Sequence, residues 1–297
     1  MTSQLSYLFD TTLEEGGIRE ITPSLFWVRM PLPFRLNHIN LWLLKDGDGW
    51  SIVDTGIDLE NVREYWSDIL LNFCETTRLE KMIVTHFHPD HVGLAGWFSE
   101  KYHAPLWMTL GEWGMARNLK LETQEFSLSA LNDFYRQAGF DDDLLALVPE
   151  RSASYPMRIS RPPSGIHRLM DQDNVDINGV SWRVIVASGH SPEHACLYNE
   201  KDNILISGDQ VLPRISPNIS IWPEEPFANP LALFLKTMNV FDDIPKDVHV
   251  LPSHDAPFYG LHARLDELRL HHEERLDETY QLCSKPSSAL DVLKQMF

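Results

Sequence analysis

Cysteine, positive charge and long apolar segments are all scarce in this chain. Its 297 residues include three widely spaced cysteines, Cys74, Cys196 and Cys283, and no CxxC pair. An odd number of widely spaced cysteines argues against a disulfide framework. It predicts reduced thiols and hence a cytoplasmic location. Residues 1–20 contain no basic segment followed by an apolar one, and no apolar run approaches the roughly 20 residues of a membrane-spanning helix. The sequence therefore predicts a protein without a membrane segment.

The charge balance is strongly acidic. Asp and Glu number 43 against 25 Lys and Arg, which gives a formal net charge of −18. Such a surface repels a phosphate backbone, so it argues against non-specific nucleic-acid binding and favours a small-molecule partner. The hydrophobic content of 43% over this length is enough for one large core.

A histidine-rich motif follows the apolar, β-branched run at residues 81–84, which reads as a buried strand. Side chains two residues apart in an extended backbone point the same way, so His86 and His88 can hold one metal. Asp90 and His91 lie around the turn and can face a second one. Imidazole and carboxylate ligands suit zinc, and also manganese or iron. The alternative is a solvated turn that happens to be rich in histidine.

Further ligand-type residues follow three other predicted strands. His190 comes after the apolar run 182–187, Asp209 after 203–206 and His254 after 248–251. Functional side chains gather at strand ends because the sheet holds the loops that carry them. A single histidine in such a loop is more often structural. Ligand-type residues after four predicted strands, however, favour a common metal site.

The motifs resemble those of the metallo-β-lactamase superfamily over about residues 20–260. The chain carries His-x-His-x-Asp-His at 86–91, Gly-His-Ser-Pro-x-His at 189–194, Ser-Gly-Asp at 207–209 and Asp-Thr-Gly at 54–56. It looks most similar to the glyoxalase II-like and lactamase-like hydrolases. The antibiotic-destroying enzymes often replace an early ligand or the bridging Asp, and this chain does neither.

The resemblance implies a dinuclear metal site with a bridging hydroxide. The implied ligands are His86, His88 and His190 for one ion, Asp90, His91 and His254 for the other, and Asp209 between them. The implied cofactors are two divalent metal ions, zinc first, with manganese or iron as alternatives. Besides Asp209, the resemblance gives Asp90 a catalytic role as a proton carrier.

Two residues are predicted to support these ligands. Asp54 resembles the residue that orients a ligand imidazole. His194 lies four residues after His190, on what we expect to be a short helix. It either supports the ligands or is a packed structural histidine.

The fold implied is α+β, a four-layer αββα sandwich of two mixed β-sheets with a helical C-terminal extension. We expect a catalytic domain at residues 1–260 and an extension at 261–297 that is similar to the start of a winged-helix domain. The sequence agrees with an opening hairpin at 25–29 and 39–44 and a helix at 59–71. The long helix after residue 260 also offers a surface for a homodimer contact.

Substrate contacts are predicted from three segments. Residues 110–170 read as a helical insertion that either forms part of the substrate wall or only packs. Residues 151–170 hold arginines and no acid, so Arg158 and Arg161 can bind a phosphate or carboxylate unless the stretch is a solvated loop. Phe34, Trp222 and Phe227 are predicted to form an apolar wall for an acyl or aryl group.

The predicted function is a dinuclear metal-dependent hydrolase of a thioester or another activated carboxylic ester, similar to glyoxalase II. The alternatives on the same scaffold are a phosphodiesterase or ribonuclease, which the arginines and the C-terminal helices favour, and a lactonase. The complete second ligand set argues against a mononuclear iron dioxygenase. It also argues against a non-catalytic relative, because such proteins usually lose a ligand.

Overall fold

The computed structural model describes residues 5–9, 13–121, 124–148 and 154–296, with side chains for all of these except 124–127 and 154. Arg151, which belongs to the predicted arginine-rich segment, lies outside the described residues. The strands and helices are numbered below in chain order.

In the described part of the chain, fourteen strands form two seven-stranded mixed sheets. The first sheet contains, in spatial order, β2 (Ile18–Thr22), β3 (Leu25–Pro31), β4 (His38–Asp46), β5 (Gly49–Val53), β6 (Leu79–Ile83), β7 (Leu106–Thr109) and β8 (His167–Leu169). The second contains β1 (Ser6–Tyr7), β14 (Phe258–Tyr259), β13 (His249–Pro252), β12 (Ile204–Gly208), β11 (His194–Asn199), β10 (Val180–Ala187) and β9 (Asn174–Ile177). Strands β5 to β8 pair in parallel, as do β12 and β13, and the other neighbours are antiparallel.

Helices cover the outer faces of both sheets. They are α1 (Glu60–Asp68), α2 (Pro89–Val92), α3 (Ala95–Tyr102), α4 (Leu110–Leu121), α5 (Gln124–Gln137), α6 (Asp142–Leu145), α7 (Ser154–Arg158), α8 (Pro230–Thr237), α9 (Leu261–Leu282) and α10 (Ala289–Met296). A π-helical turn, Ile69–Phe73, extends α1, and a 3-10 turn, Met238–Phe241, extends α8. The predicted αββα sandwich is therefore confirmed.

Alternate residues of a strand serve different layers of the sandwich. In β4, Ile39, Leu41 and Leu43 pack towards the helices that cover the first sheet. Trp42 and Leu44 point the other way and pack between the two sheets. A third cluster lies between the second sheet and its helices. Because both faces of the central strands are buried, these strands read as continuous apolar runs in the sequence.

Two expectations about local structure are wrong. His194 begins strand β11 and does not lie on a helix. The pairing of its backbone with Ala187 of β10 keeps His194 extended, and its ring is fully buried. The arginine-rich stretch 151–170 is also not one loop, since it contains α7 and β8.

The long helix α9 has 22 residues and begins against the second sheet. Leu261, Leu265 and Leu268 belong to the same buried cluster as β13, whereas α10 buries none of its residues. The division at residue 260 and the likeness to a winged helix stay predictions. Among the described residues, no helix combines the length and the apolar character needed to cross a bilayer.

Candidate metal centre

Loops that follow β6, β10 and β12 bring four of the predicted ligands together. In His86, His88, His190 and Asp209, one ligand-type atom of each residue lies within 4.8 Å of the others. The Nε2 atom of His86 lies 2.9 Å from Nδ1 of His88 and 3.1 Å from Nε2 of His190. Three imidazole nitrogens therefore converge on one point, as a shared cation requires.

A second group lies beside the first and contains Asp90, His91 and His254. The Oδ2 atom of Asp90 lies 3.6 Å from Nε2 of His91 and 3.5 Å from Nε2 of His254. Asp90 and His91 come from the short helix α2, and His254 from the loop after β13. The seven residues thus lie in two groups, as the resemblance implied, and their roles as metal ligands stay predictions.

Asp209 lies between the two groups. Its Oδ2 is 3.6 Å from Nε2 of His190 in the first group. Its Oδ1 is 3.5 Å from Nε2 of His91 and 3.3 Å from Nε2 of His254 in the second group. One carboxylate oxygen therefore faces each group, which is the geometry that the predicted bridging role requires.

Two buried atoms at this point have no hydrogen-bond partner. They are Nε2 of His91 and Oδ1 of Asp209. Leaving a buried polar atom unsatisfied costs roughly 1–3 kcal/mol, so such atoms usually have a partner. A divalent cation would satisfy both, and the donor set of imidazole and carboxylate suits zinc, manganese or iron. The residues present fit divalent metal ions.

The charges of the two groups are also suited to cations. Burial, together with the neighbouring imidazole of His190, lowers the pKa of His88 to about 3, so the neutral form that binds metals is favoured. Burial also disfavours a charged His254, but Asp209 and Asp90 outweigh it and raise its pKa to about 10. The carboxylates thus favour positive charge at the second group, which a metal ion would supply in place of a proton.

Three of the imidazoles form a hydrogen bond through Nδ1, on the side of the ring away from the centre. His190 donates to the carbonyl of Asn218 and His254 to the carbonyl of His38, each at 2.8 Å. His91 lies 2.8 Å from Oδ2 of Asp54. A carbonyl or carboxylate oxygen can only accept, so the proton belongs on Nδ1 and Nε2 is left for a metal.

Asp54 supports both groups through Thr85. The hydroxyl of Thr85 donates to the Asp54 carboxylate at 2.9–3.0 Å and therefore accepts from Nδ1 of His86, 3.0 Å away. Asp54 has a φ of 62°, a conformation that costs a non-glycine residue roughly 1–3 kcal/mol. The contacts match the orienting role predicted for Asp54, and they extend it to a second imidazole.

His194 contacts the backbone of Asp209. Its Nε2 accepts a hydrogen bond from the Asp209 amide at 3.1 Å. The preceding Gly208 has a φ of +55°, and a Cβ there would lie 2.4 Å from the His194 ring. Only glycine fits this close approach. Of the two interpretations of His194, the geometry favours support of the centre.

Several supporting residues escaped the sequence analysis because no local pattern marks them. They are the loop carbonyl of Asn218, the carbonyl of His38, the hydroxyl of Thr85 and the buried carboxylate of Glu112. Except for Thr85, which precedes His86 directly, each of these groups is far in sequence from the residue with which it forms a hydrogen bond.

A cavity of about 380 Å³ lies beside the centre. Trp222 lines it and packs against the first group, with its ring centroid 6.0 Å from that of His88. The remaining walls come from the start of α2, from the insertion and from the segment after Asp209, namely Pro89, Leu119, Leu131, Phe134, Tyr135, Val148, Tyr155, Arg158, Asn218, Ser220, Ile221, Pro223 and Glu224.

The predicted substrate residues do not all meet at this cavity. Trp222 and Arg158 line it, and the Arg158 guanidinium lies 4.6 Å from the centroid of the Phe34 ring. Arg161 lines a separate surface depression, and Phe227 is 93% exposed and outside the cavity lining. Roles for Phe34, Arg161 and Phe227 stay predictions.

An αββα sandwich with histidine and aspartate gathered at its strand ends defines a class of metal-dependent hydrolases. The metallo-beta-lactamase superfamily matches residues 35–263, and the chain belongs to this superfamily. The resemblance drawn from the motifs is therefore confirmed, and the chain is a metallo-hydrolase.

Three similar proteins illustrate the range of the family. The crystal structure of a beta-lactamase domain protein from Burkholderia ambifaria matches with a TM-score of 0.89 and 41% identity, over 99% of this chain and 86% of that one. The probable metallo-hydrolase YqjP of Bacillus subtilis (strain 168) is 22% identical over 93% of this chain and 86% of its own length. The acyl-coenzyme A thioesterase MBLAC2 of Homo sapiens is 24% identical over 68% of each chain.

The bridging position of Asp209 can be tested by metal content. We expect Asp209→Ala to retain at most one weakly bound ion after dialysis, because each group loses an oxygen that faces it. Elemental analysis of the dialysed protein measures this. Asp48→Ala is a matched control, since the Asp48 side chain is 94% exposed in a turn. Two tightly held ions in Asp209→Ala would refute the bridging role.

Proposed function

We propose that this protein is a dinuclear metal-dependent hydrolase that cleaves a thioester or another activated carboxylic ester. The observation that carries the proposal is the position of Asp209, with one oxygen towards each ligand group. In this proposal His86, His88 and His190 hold one ion, and Asp90, His91 and His254 hold the other. Zinc is the first candidate for both, with manganese or iron as alternatives.

The bound ions and the residues around them would then have separate roles in the reaction. Bound divalent ions supply Lewis acidity, which lowers the pKa of a water molecule and polarises the scissile carbonyl. Asp90 is the proposed proton carrier. Burial raises its pKa, but His91 and His254 outweigh burial and lower it to about 2. Its carboxylate is therefore ionised at neutral pH, the form that the proposed transfer of a proton from the attacking water to the leaving group starts from.

The cavity supports a substrate with an apolar acyl or aryl part. Its walls include the aromatic side chains of Trp222, Tyr155 and Phe134, and it opens beside the proposed ligand His88. Cavities of this size and lining are typical of small-molecule sites. A scissile carbonyl near the two groups would place its acyl chain in this cavity.

Arg158 supports an anionic group on the same substrate. Within the described part of the chain, no carboxylate forms an ion pair with Arg158, although the protein carries a net charge of −18. Its guanidinium is held over the Phe34 ring at the cavity. An arginine placed in this way is suited to a phosphate or carboxylate. A thioester with an anionic carrier has both features, and the similarity to a human acyl-coenzyme A thioesterase agrees with it.

Metal analysis combined with an activity panel tests the function. The panel holds a glutathione thioester, an acyl-coenzyme A, a homoserine lactone, a phosphodiester and single-stranded RNA. We expect about two ions per chain and turnover of a thioester, with loss of turnover on chelation. Lactone turnover alone would promote the lactonase alternative, and phosphodiester or RNA cleavage the phosphodiesterase. One iron per chain without hydrolysis would refute the mechanism.

Arg158→Ala tests whether the arginine binds the anionic group. We expect KM for an anionic thioester to rise about 10–100-fold with little change in kcat, since a hydrogen bond to a charged group contributes roughly 1.5–3 kcal/mol. Arg168→Ala is the control, because Arg168 belongs to the same arginine-rich stretch and is exposed on β8. An unchanged KM in Arg158→Ala would remove Arg158 from the substrate site.

Trp222→Ala tests whether the cavity holds the acyl part. We expect the variant to change the order of preference among acyl chains of different length, because the wall beside His88 is removed. The measurement is kcat/KM over a series of acyl thioesters. Phe227→Ala, in the same segment but outside the cavity, shows whether the wall extends further. An unaltered profile in Trp222→Ala would contradict the cavity assignment.

A further inference from the structure

Glu112 is a fully buried carboxylic acid on α4, directly after the strand β7. Among the residues that the structure describes, it forms no hydrogen bond or ion pair with a proposed ligand. It lies where the loop that carries His86 and His88 meets the loop that carries His190. No motif marks it, and the function proposed above does not use it.

The two oxygens of Glu112 bind different loops. Oε2 accepts from the backbone amide of Phe87, between His86 and His88, at 3.0 Å. Oε1 accepts from the hydroxyl of Ser191 and from the amide of Glu193, both at 2.6 Å. One side chain therefore ties together the two loops that supply the imidazoles of the first group.

An ionised carboxylate can accept all three contacts at once. Each of the three partners donates, and an ionised carboxylate accepts on both oxygens. Glutamine has nearly the same shape, but its NH2 group would face a donor on one of the two loops. Burial alone would disfavour the charge, and it raises the pKa of Glu112 to about 7 against the opposing effect of the donors. A residue that is costly to bury is thus held by contacts that its neutral isostere cannot make.

The neighbouring contacts restrict the same loops. Tyr155 donates to the carbonyl of Phe87 at 2.6 Å, so both backbone groups of this residue are bound. Glu193 in turn accepts from the amide of Gly111, next to Glu112, at 2.8 Å. The His190 loop is therefore anchored to the start of α4, and the His86–His88 loop to both α4 and α7.

We propose that Glu112 is a positioning residue that sets the distance between the His86–His88 loop and the His190 loop, and so the affinity and geometry of the first metal site. The Nε2 atoms of His86 and His190, which must share one ion, lie 3.1 Å apart across these loops. Partners behind metal ligands typically change metal affinity 10–100-fold when they are removed. The inference rests on the ligand set proposed above.

The test compares zinc binding by the full chain and by Glu112→Gln, with a competing chelator. We expect one of the two dissociation constants to rise about 10–100-fold and the other to stay within about 3-fold. The visible spectrum of the protein loaded with Co²⁺ should change as well, which a loss of stability alone would not cause. Glu112→Asp, which keeps both acceptor oxygens on a shorter side chain, should restore part of the affinity.

Glu193→Gln is the matched control. It removes a neighbouring negative charge from the same loop, yet its amide oxygen can still accept from Gly111. We expect wild-type zinc binding from it. Equal weakening in Glu193→Gln and Glu112→Gln would show that charge, not the link between loops, sets the affinity, and would overturn the inference.

Other outcomes are equally decisive. Unchanged zinc constants in Glu112→Gln would overturn the inference and leave the proposed function standing. If the wild-type chain binds fewer than two ions, the two-metal function fails on that measurement alone. The zinc dissociation constants of wild type and Glu112→Gln are then compared for the remaining ion. If the wild-type chain binds no ion at all, the inference about Glu112 is refuted as well. If Glu112→Gln does not fold, Ser191→Ala removes one donor from Oε1, and unchanged constants in that variant would refute the proposal.

Discussion

Crowding of buried imidazoles and carboxylates is the constraint on which the rest of this structure depends. Groups of this kind stay close together only when their outer atoms are held by fixed partners and a cation can satisfy their inner ones. His190, His91 and His254 each direct Nδ1 to an oxygen acceptor. The Nε2 atoms of these three residues are thereby directed towards the two ligand groups. The loop residues that contact Nδ1 therefore fix the orientation of the candidate ligands.

The two-sheet sandwich supplies the rigid base for this arrangement. Parallel neighbours such as β12 and β13 end at the same edge, so the loops that follow them meet there. Asn40 of the first sheet then ties the His254 loop across the sandwich. Its backbone amide donates to Ser253, and its side chain donates to the carbonyls of Pro252 and Asp255 at 2.9 and 2.6 Å. Ligands from different sheets are held in register by such links.

Chemistry and substrate choice are supplied by different parts of the chain. The strand-end loops carry the features shared across the superfamily. The cavity wall comes from α4, α5, α7 and the segment after Asp209, where residues 213–229 form no regular element. Loops and insertions vary without disturbing a packed sheet. We therefore propose that Trp222 and Arg158, rather than the ligands, set the specificity of the proposed hydrolase.

The sequence by itself determined the fold class and the family. The resemblance to that family implied the grouping of the seven candidate ligands, whose metal-binding roles stay predictions. The motifs were recognisable because each lies in a short run of residues after an apolar strand, which is local information. Tertiary structure alone decided that His194 lies on a strand and contacts Asp209, that Phe227 lies outside the cavity, and that Glu112 joins two loops. Glu112 lies 25 residues from Phe87 and 79 from Ser191. Such contacts depend on how the sheets pack, and a local pattern of residues does not show which distant segments will meet.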